Sequence, residues 1–173
     1  MITAILAIAD DGAIGSENGL PWPHIKDDME RFVEKTINQV VVMGRKTWDS
    51  LPPKYRPLPN RINVVVTSKP LSDFPGASGT LHGDDLTKGL QTFVKAYPDK
   101  EIVIIGGAEI YKQCLPACDK LYITKVHGEY EGDVFMDYDE LIKGFEQTGH
   151  GLMADATRDV GEHLFTFQTW KRQ

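Results

Sequence analysis

Apolar residues in this chain fall into short, nearly unbroken blocks, with stretches of helical period between them. Residues 2–9 are continuous in Ile, Leu and Ala apart from Thr3, the pattern of a strand covered on both faces. Residues 40–43, 61–66, 101–105 and 120–126 read as further strands. Helices are predicted over residues 25–36, 45–50, 86–96 and 108–114. Residues 162–171 read differently. Leu164, Thr166 and Gln168 alternate with Phe165, Phe167 and Thr169, which predicts a final antiparallel strand at the sheet edge. Strands alternating with helices predict an α/β fold, a mostly parallel sheet with helices on both faces. With 173 residues and no linker, repeat or low-complexity tract, one domain over residues 1–173 is expected.

Two segments lack such a pattern. Residues 10–24 form a loop with Gly12, Gly15 and Gly19 that closes at Pro21 and Pro23, and residues 75–85 are glycine-rich without alternation. The helix after the first loop carries the most informative position. At roughly 100° per residue, Ile25, Met29, Phe32, Val33 and Thr36 share one sector, while Asp27, Glu30 and Glu34 point away. Asp28 lies about 90° from the centre of that sector, where an acid borders a cleft. A half-buried acid beside Phe32 and Trp22 suits a flat, nitrogen-rich heterocycle held by a charge-assisted hydrogen bond. Read in isolation, a solvated first-turn acid favoured by the helix dipole accounts for the same position.

A net charge of −6 disfavours nucleic acid as a partner and gives clustered cations added meaning. Gly44-Arg45-Lys46-Thr47 and Gly106-Gly107-Ala108 are strand-to-helix junctions, whose exposed backbone amides suit anions. Arg45 and Lys46 oppose the helix dipole, a local cost that favours a functional reason for them. Two such junctions on one parallel sheet, with the Thr67-Ser68-Lys69 corner nearby, suit a ligand with several phosphates, such as a dinucleotide. Gly106-Gly107 would equally serve a tight turn that needs positive φ. Arg61 opens a strand where a guanidinium could clamp a carboxylate, although a strand-end arginine also belongs on a plain surface. Thr124 could offer a hydroxyl to Asp28, or be an ordinary β-branched strand residue. The chain has no Walker loop, GxSxG, HExxH or Rossmann GxGxxG, and its five histidines are scattered, so neither covalent catalysis nor a metal is expected. Cys114 and Cys118 have neither CxxC nor zinc-knuckle spacing. With no export signal and no apolar run of membrane length, they fit a cytoplasmic protein that does not enter a membrane.

In order along the chain stand Ile14-Gly15, Asn18-Gly-Leu-Pro-Trp22, Asp28-x-x-x-Phe32, Val42-Met-Gly-Arg-x-Thr-Trp48, Leu58-Pro-x-Arg61, Ile105-Gly-Gly-x-x-Ile-Tyr111 and Leu121-Tyr-Ile-Thr124, then Glu131-Gly-Asp133. Together they resemble the dihydrofolate reductase family over nearly the whole chain. The resemblance implies an eight-stranded, mainly parallel α/β domain that reduces 7,8-dihydrofolate to tetrahydrofolate with NADPH. It also implies antifolate inhibitors; the oligomeric state stays open, with nothing in the sequence suggesting more than a monomer. It assigns Asp28, Thr124 and a water near Trp22 to the pterin, and Ile5 and Ile105 to backbone carbonyls and apolar walls. Met29, Phe32, Leu51 and Leu58 would enclose the pterin and the aminobenzoyl ring, and Arg61 would take the glutamate α-carboxylate. Arg45, Lys46 and Ser68, with Thr67 and Lys69 beside them, resemble the surroundings of the NADPH 2′-phosphate. Thr47, Gly106 and Gly107 resemble the pyrophosphate cradle. Ala7, Ile14, Gly15, Asn18, Gly19, Leu20, Gly44, Ala108, Glu109, Ile110 and Tyr111 complete the cofactor surface that the resemblance implies.

By the same resemblance the Gly106–Gly107 peptide is expected to be cis. Residues 10–22 are expected to form a lid, and Asp133 to steady it. The chain departs from the family pattern in places. One more step separates Trp22 from Asp28 than in many bacterial relatives, and Asp27 is a neighbouring acid; the spacing to Phe32 selects Asp28. Val33 stands where some relatives place a cation, Asn60 where glycine is common, and the usual Thr and Pro are missing after Asp133. Two rival readings share part of this pattern. A pyrimidine reductase of riboflavin synthesis should lack the Asp28, Phe32 and Arg61 set, and a non-catalytic NADPH sensor leaves the cleft between Trp22 and Asp28 unexplained.

Overall fold

The computed structural model describes residues 1–17, 19–148, 157–160 and 163–173. In chain order the elements are β1 (Ile2–Ala9), β2 (Ala13–Gly15), α1 (Lys26–Thr36), β3 (Val40–Gly44), α2 (Arg45–Ser50), β4 (Ile62–Val66), β5 (Gly79–Leu81), α3 (Leu86–Ala96) and β6 (Ile102–Gly106). There follow α4 (Ala108–Cys114), β7 (Lys120–Val126), β8 (Val134–Phe135), α5 (Tyr138–Ile142), β9 (Phe145–Gln147), β10 (Thr157–Val160) and β11 (His163–Arg172).

The main sheet runs β10-β11-β7-β1-β6-β3-β4-β5, and β9 also pairs with β11. From β7 to β5 every neighbouring pair is parallel. The C-terminal strand β11 is antiparallel to β7, as its alternation predicts, and lies one place in from the edge because β10 and β9 take its other side.

The two faces of the sheet do different work, and the period of two along each strand decides which residue does which. Ile2, Ala4, Leu6 and Ile8 of β1 face a closed core with Val42, Ile104 and Ile123, covered by Leu90 of α3, Cys114 of α4 and Leu141 of α5. Each such fully buried Val, Leu or Ile contributes about 1.5–3 kcal/mol. The intervening residues face α1: Ile5 packs with Val103, Tyr122 and Phe32. Ala7 and Ile105 on that face are only half-buried.

From β1 the chain crosses to β3 and continues outward; from β6 it crosses back to β7. The carboxyl ends of adjacent β1 and β6 thus send their connections in opposite directions. A crevice opens there, the place where open α/β sheets bind ligands.

Helix α1 forms where expected, but its buried side is rotated from the sector of apolar residues. Arg31 and Thr36 are buried and Asp28 is half-buried, whereas Met29 and Val33 are exposed. The sheet beneath offers Arg31 two carbonyl acceptors and two aromatic faces, which make that burial favourable. The unpatterned span 75–85 holds the short strand β5, whose pairing with β4 extends the sheet. Asn18, expected on the cofactor surface, lies outside the described residues.

Candidate active site

Asp28 stands in the first turn of α1 with its carboxyl group turned onto the sheet. Thr124, on the same face of β7 as Tyr122, donates from Oγ1 to Asp28 Oδ1 at 2.6 Å. Burial pushes the Asp28 pKa above the usual carboxylate value, while the Thr124 bond and then the charges of Arg31 and His24 pull it back. Ala7 of β1 is paired in register with Thr124, so it flanks the same spot. Trp22 is buried, and its indole Nε1 has no protein partner among the described residues. A buried donor of this kind wants an acceptor from a ligand or a water.

Tyr111 stands between β1 and the glycine junction. Its hydroxyl donates to the Ile5 carbonyl at 2.7 Å, which leaves that oxygen a second lone pair. Burial, and then the charge of Asp28, raises the Tyr111 pKa. A Cβ on Gly106 would lie 3.3 Å from the same hydroxyl oxygen. Asp28 and Gly106 therefore border one crevice. Tyr111, expected on the cofactor surface, stands between the Ile5 carbonyl and Gly106.

Phe32 links two apolar clusters. It packs with Ile5 and Ile105 on one side and with Leu51, Leu58 and Trp48 on the other. Asn63 clamps Leu58 at both backbone groups, accepting from its N–H at 2.9 Å and donating to its carbonyl at 3.0 Å. Arg61 donates to Thr36 Oγ1 at 3.0 Å and to the Pro59 carbonyl at 2.9 Å, and its guanidinium lies 6.0 Å from the Phe32 ring centroid. Partial burial lowers its pKa, yet a guanidinium stays charged. Asn60 before it has φ 56, a conformation that asparagine tolerates, and this explains its standing where glycine is common. Met29, expected on the pterin wall, is exposed at the border of α1.

At the other end of the crevice Gly44 pairs with Val66, which brings Arg45, Lys46 and Thr47 beside the Thr67-Ser68-Lys69 corner. Arg45 is exposed and only loosely paired with Asp49 at 3.9 Å, and Lys46 is exposed, so both are available to an anion. The Gly106–Gly107 peptide is cis, as expected, and Gly106 has φ 126. A Cβ on Gly107 would meet only Thr47 Oγ1, at 3.8 Å. No packing constraint demands glycine at 107, and the room over its backbone, beside a threonine hydroxyl and the first amides of α4, fits a pyrophosphate. Gly44 differs: a Cβ there would lie 3.0 Å from Ile110 Cγ1, so helix packing also asks for glycine at this position. Glu109 is exposed near Lys112, which leaves Ala108 and Glu109 with their backbone amides as the groups to offer.

The expected lid is tied down by the chain around Asp133. Asp133 N–H donates to the Gly15 carbonyl at 3.0 Å, and Asp133 Oδ2 accepts from Glu17 N–H at 3.1 Å. Met136 N–H donates to Gly12 O at 2.9 Å, and β2 pairs with β8. Ile14 and Gly15 are half-buried, Gly19 bridges to Ser16, and Leu20 is exposed. Arg31 and Asn63 were not foreseen. Their partners lie on other strands or in the loop that precedes their own, and no local pattern announces them.

Among known proteins, the family model for dihydrofolate reductase matches residues 1–172. Dihydrofolate reductase type 8 of Escherichia coli is 38% identical over 174 residues, covering 98% of this chain and 95% of that protein. The dihydrofolate reductase of Neisseria meningitidis serogroup B is 42% identical over 168 residues, with 96% and 98% covered. The Bacillus subtilis enzyme is 40% identical over 141 residues, with 81% and 78% covered. Among solved structures, dihydrofolate reductase from Enterococcus faecalis, complexed with NADP(H) and RAB-propyl, superposes with a TM-score of 0.79 at 32% identity, covering 100% of this chain and 96% of that one. An acid held by a strand threonine, facing a glycine junction across the β1/β6 crevice, is thus embedded in a chain that belongs to the dihydrofolate reductase family.

Proposed function

We propose that this chain reduces 7,8-dihydrofolate to 5,6,7,8-tetrahydrofolate with NADPH, and that Asp28 anchors the pterin. The observation that carries the reading is the Asp28 carboxyl group, fixed by Thr124 on the crevice floor, with Tyr111 holding Ile5 beside the Gly106 junction. The pterin amino group and its neighbouring ring N–H are donors, and an ionised carboxylate is the acceptor pair that matches them. The Ile5 carbonyl and Trp22 Nε1 add an acceptor and a donor at the edges of the same site. Phe32, Leu51, Leu58 and Ile105 supply flat apolar walls, and Met29 closes the outer rim. Arg61, held in place by Thr36, receives the glutamate carboxylate.

The cofactor would be held by Arg45, Lys46, Thr67, Ser68 and Lys69 at its 2′-phosphate and by Thr47 and the amides of residues 106–109 at its pyrophosphate. Ala7, Ile14, Gly15, Asn18, Gly19 and Leu20 would surround its reactive ring. Bound NADPH supplies the hydride. The protein's own contribution is alignment and exclusion of solvent, which removes much of the entropic barrier without any covalent bond to a side chain. A proton must reach pterin N5. Asp28 grips the opposite edge of the ring, so it raises the basicity of N5 through its charge, and a water admitted past the lid delivers the proton.

We also infer a cytoplasmic monomer of one domain spanning residues 1–173, open to antifolates that compete for Asp28. Burial pushes both cysteine thiols up to about 12, as suits thiols that stay reduced in a cytoplasm. No described helix is long and apolar enough to cross a membrane. The test follows cofactor absorbance in a mixture of purified protein, NADPH and dihydrofolate. Consumption that tracks dihydrofolate and stops with an antifolate supports the reading, and an inert mixture refutes it.

A further inference from the structure

Arg31 is a long cation buried to 8% exposure on α1, one helical turn from Asp28, and nothing in the reaction as described uses it. We propose that Arg31 is a positioning residue of this site: it orients the Thr124 hydroxyl so that its proton points to Asp28, and it sets a fixed positive charge beside that carboxylate. The inference rests on the reading of Asp28 as the pterin anchor.

The anchoring of Arg31 is independent of Asp28. Nη1 donates to the Ile123 carbonyl of β7 at 3.0 Å, and Nη2 donates to the Gln168 carbonyl of β11 at 2.8 Å. The guanidinium also lies 4.7 Å from the Phe167 ring centroid and 5.5 Å from that of Tyr122. Two carbonyls and two π faces satisfy the buried charge and fix its position. From there Nη1 reaches Thr124 Oγ1 at 3.4 Å. A threonine hydroxyl owns a single proton. Facing a guanidinium it can only accept, so the proton is committed to Asp28 Oδ1 at 2.6 Å. Arg31 thereby acts on the acid in two ways, through this relay and through its charge.

The consequence concerns the charge state in which Asp28 works. Only the ionised carboxylate accepts from both pterin donors, and burial opposes ionisation. Of the groups packed around it, α1 contributes Arg31, with Glu34 beside that arginine, and the loop before α1 contributes His24. Strand β7 contributes Thr124 and Tyr122, with Lys35 and Lys120 lying over the Tyr122 ring, and α4 contributes Tyr111. Of the cationic groups that act on Asp28, Arg31 has the larger effect, ahead of His24, and it alone is permanently charged.

The decisive measurement is the ionisation midpoint of Asp28, read from the carboxyl 13C resonance of aspartate-labelled protein and assigned by its loss in Asp28→Asn. In Arg31→Met the midpoint should rise by about one pH unit or more, the usual effect of removing an opposite charge a few ångströms away. Arg31→Lys should recover most of the difference, because it restores the charge. The KM for dihydrofolate near neutral pH should rise in Arg31→Met, with NADPH affinity unchanged. If Arg31→Met does not fold, Arg31→Gln keeps donors for the two carbonyls without the charge, and the same rise is expected. The rise should persist in a His24→Gln background, which excludes titration of that imidazole as its source. An unmoved midpoint in a folded neutral variant, or a lysine variant displaced as far as methionine, would overturn the proposal. An unmoved midpoint alongside lost turnover in Asp28→Asn overturns this inference alone, whereas full turnover in Asp28→Asn overturns the underlying reading of the anchor.

Discussion

Replacing Asp28 with asparagine separates the two ways in which this acid acts, on turnover and on stability. Asparagine keeps the acceptor that Thr124 uses at 2.6 Å but presents an NH2 donor in place of the second carboxylate oxygen. One charge-assisted bond becomes neutral, a loss of about 1 kcal/mol, and the other becomes two facing donors, a loss of about 2–3 kcal/mol. Together these predict a loss of about 3–4 kcal/mol of transition-state stabilisation, roughly a 150- to 900-fold fall in kcat/KM for dihydrofolate. NADPH affinity should not change.

Stability should move differently. Folding raises the Asp28 pKa from its model-peptide value of 3.8. Below that value both states are protonated and the acid costs nothing. As pH climbs through the raised value the folded state must release a proton that the unfolded chain has already lost, so stability falls. Asp28→Asn lacks this loss, and its stability relative to the parent should therefore improve on going from acid to neutral pH. Steady-state kinetics with urea unfolding across that range tests both halves. Parental turnover in the folded variant, or parallel stability curves for the two proteins, would refute the reasoning.

Four further changes probe the rest of the crevice. Gly106→Ala should destabilise the unliganded protein by about 1–3 kcal/mol, because alanine is strained at φ 126 and crowds the Tyr111 hydroxyl; denaturant unfolding reads this directly. Gly107→Ala should fold as well as the parent yet lose affinity for NADPH by about tenfold or more, near 1.4 kcal/mol, in a calorimetric titration; full affinity would remove the phosphate cradle from that position. Arg61→Leu should raise the KM for dihydrofolate by about 10- to 150-fold at steady kcat, the worth of one charge-assisted pair of about 1.5–3 kcal/mol, and leave a pterin without the glutamate tail unaffected. Tyr111→Phe leaves the buried Ile5 carbonyl without its partner and should cost about 1–3 kcal/mol in urea unfolding; an unchanged midpoint would mean the bond contributes nothing.

Most of the parallel sheet was readable because its strands are short apolar blocks with helices between them, and β1, β7, α2, α3 and α4 form at the residues their periodicity predicts. The site was partly readable for the same reason. Once Ile5, Ile105 and Thr124 are placed on strands, the period of two puts them on the α1 face, where Phe32 and Asp28 meet them. The orientation of α1 was not readable. Its apolar residues favour a stripe through Met29 and Val33, but the energy is decided by acceptors for Arg31 that lie 92 and 137 positions away in the chain. Strands β2, β5 and β8 were invisible because elements of two or three residues are too short to show a period, and they exist only through their pairing partners. Gly44 carries a demand that its sequence context does not announce: beside the suggested anion site, a Cβ there would crowd Ile110.

The ribbon that fastens residues 12–17 to residues 132–136 constrains what this surface could become by mutation. A Cβ on Gly12 would sit 2.5 Å from the Met136 carbonyl oxygen, and one on Gly132 would sit 2.7 Å from that of Gly15. In a random library screened for growth, both positions should therefore return glycine almost alone, while exposed Glu129, just before the ribbon, accepts nearly any residue. At Gly12 and Gly132 the two backbones meet directly. Variation in the outer loop is consequently free to alter charge and length but not the depth to which the segment seats.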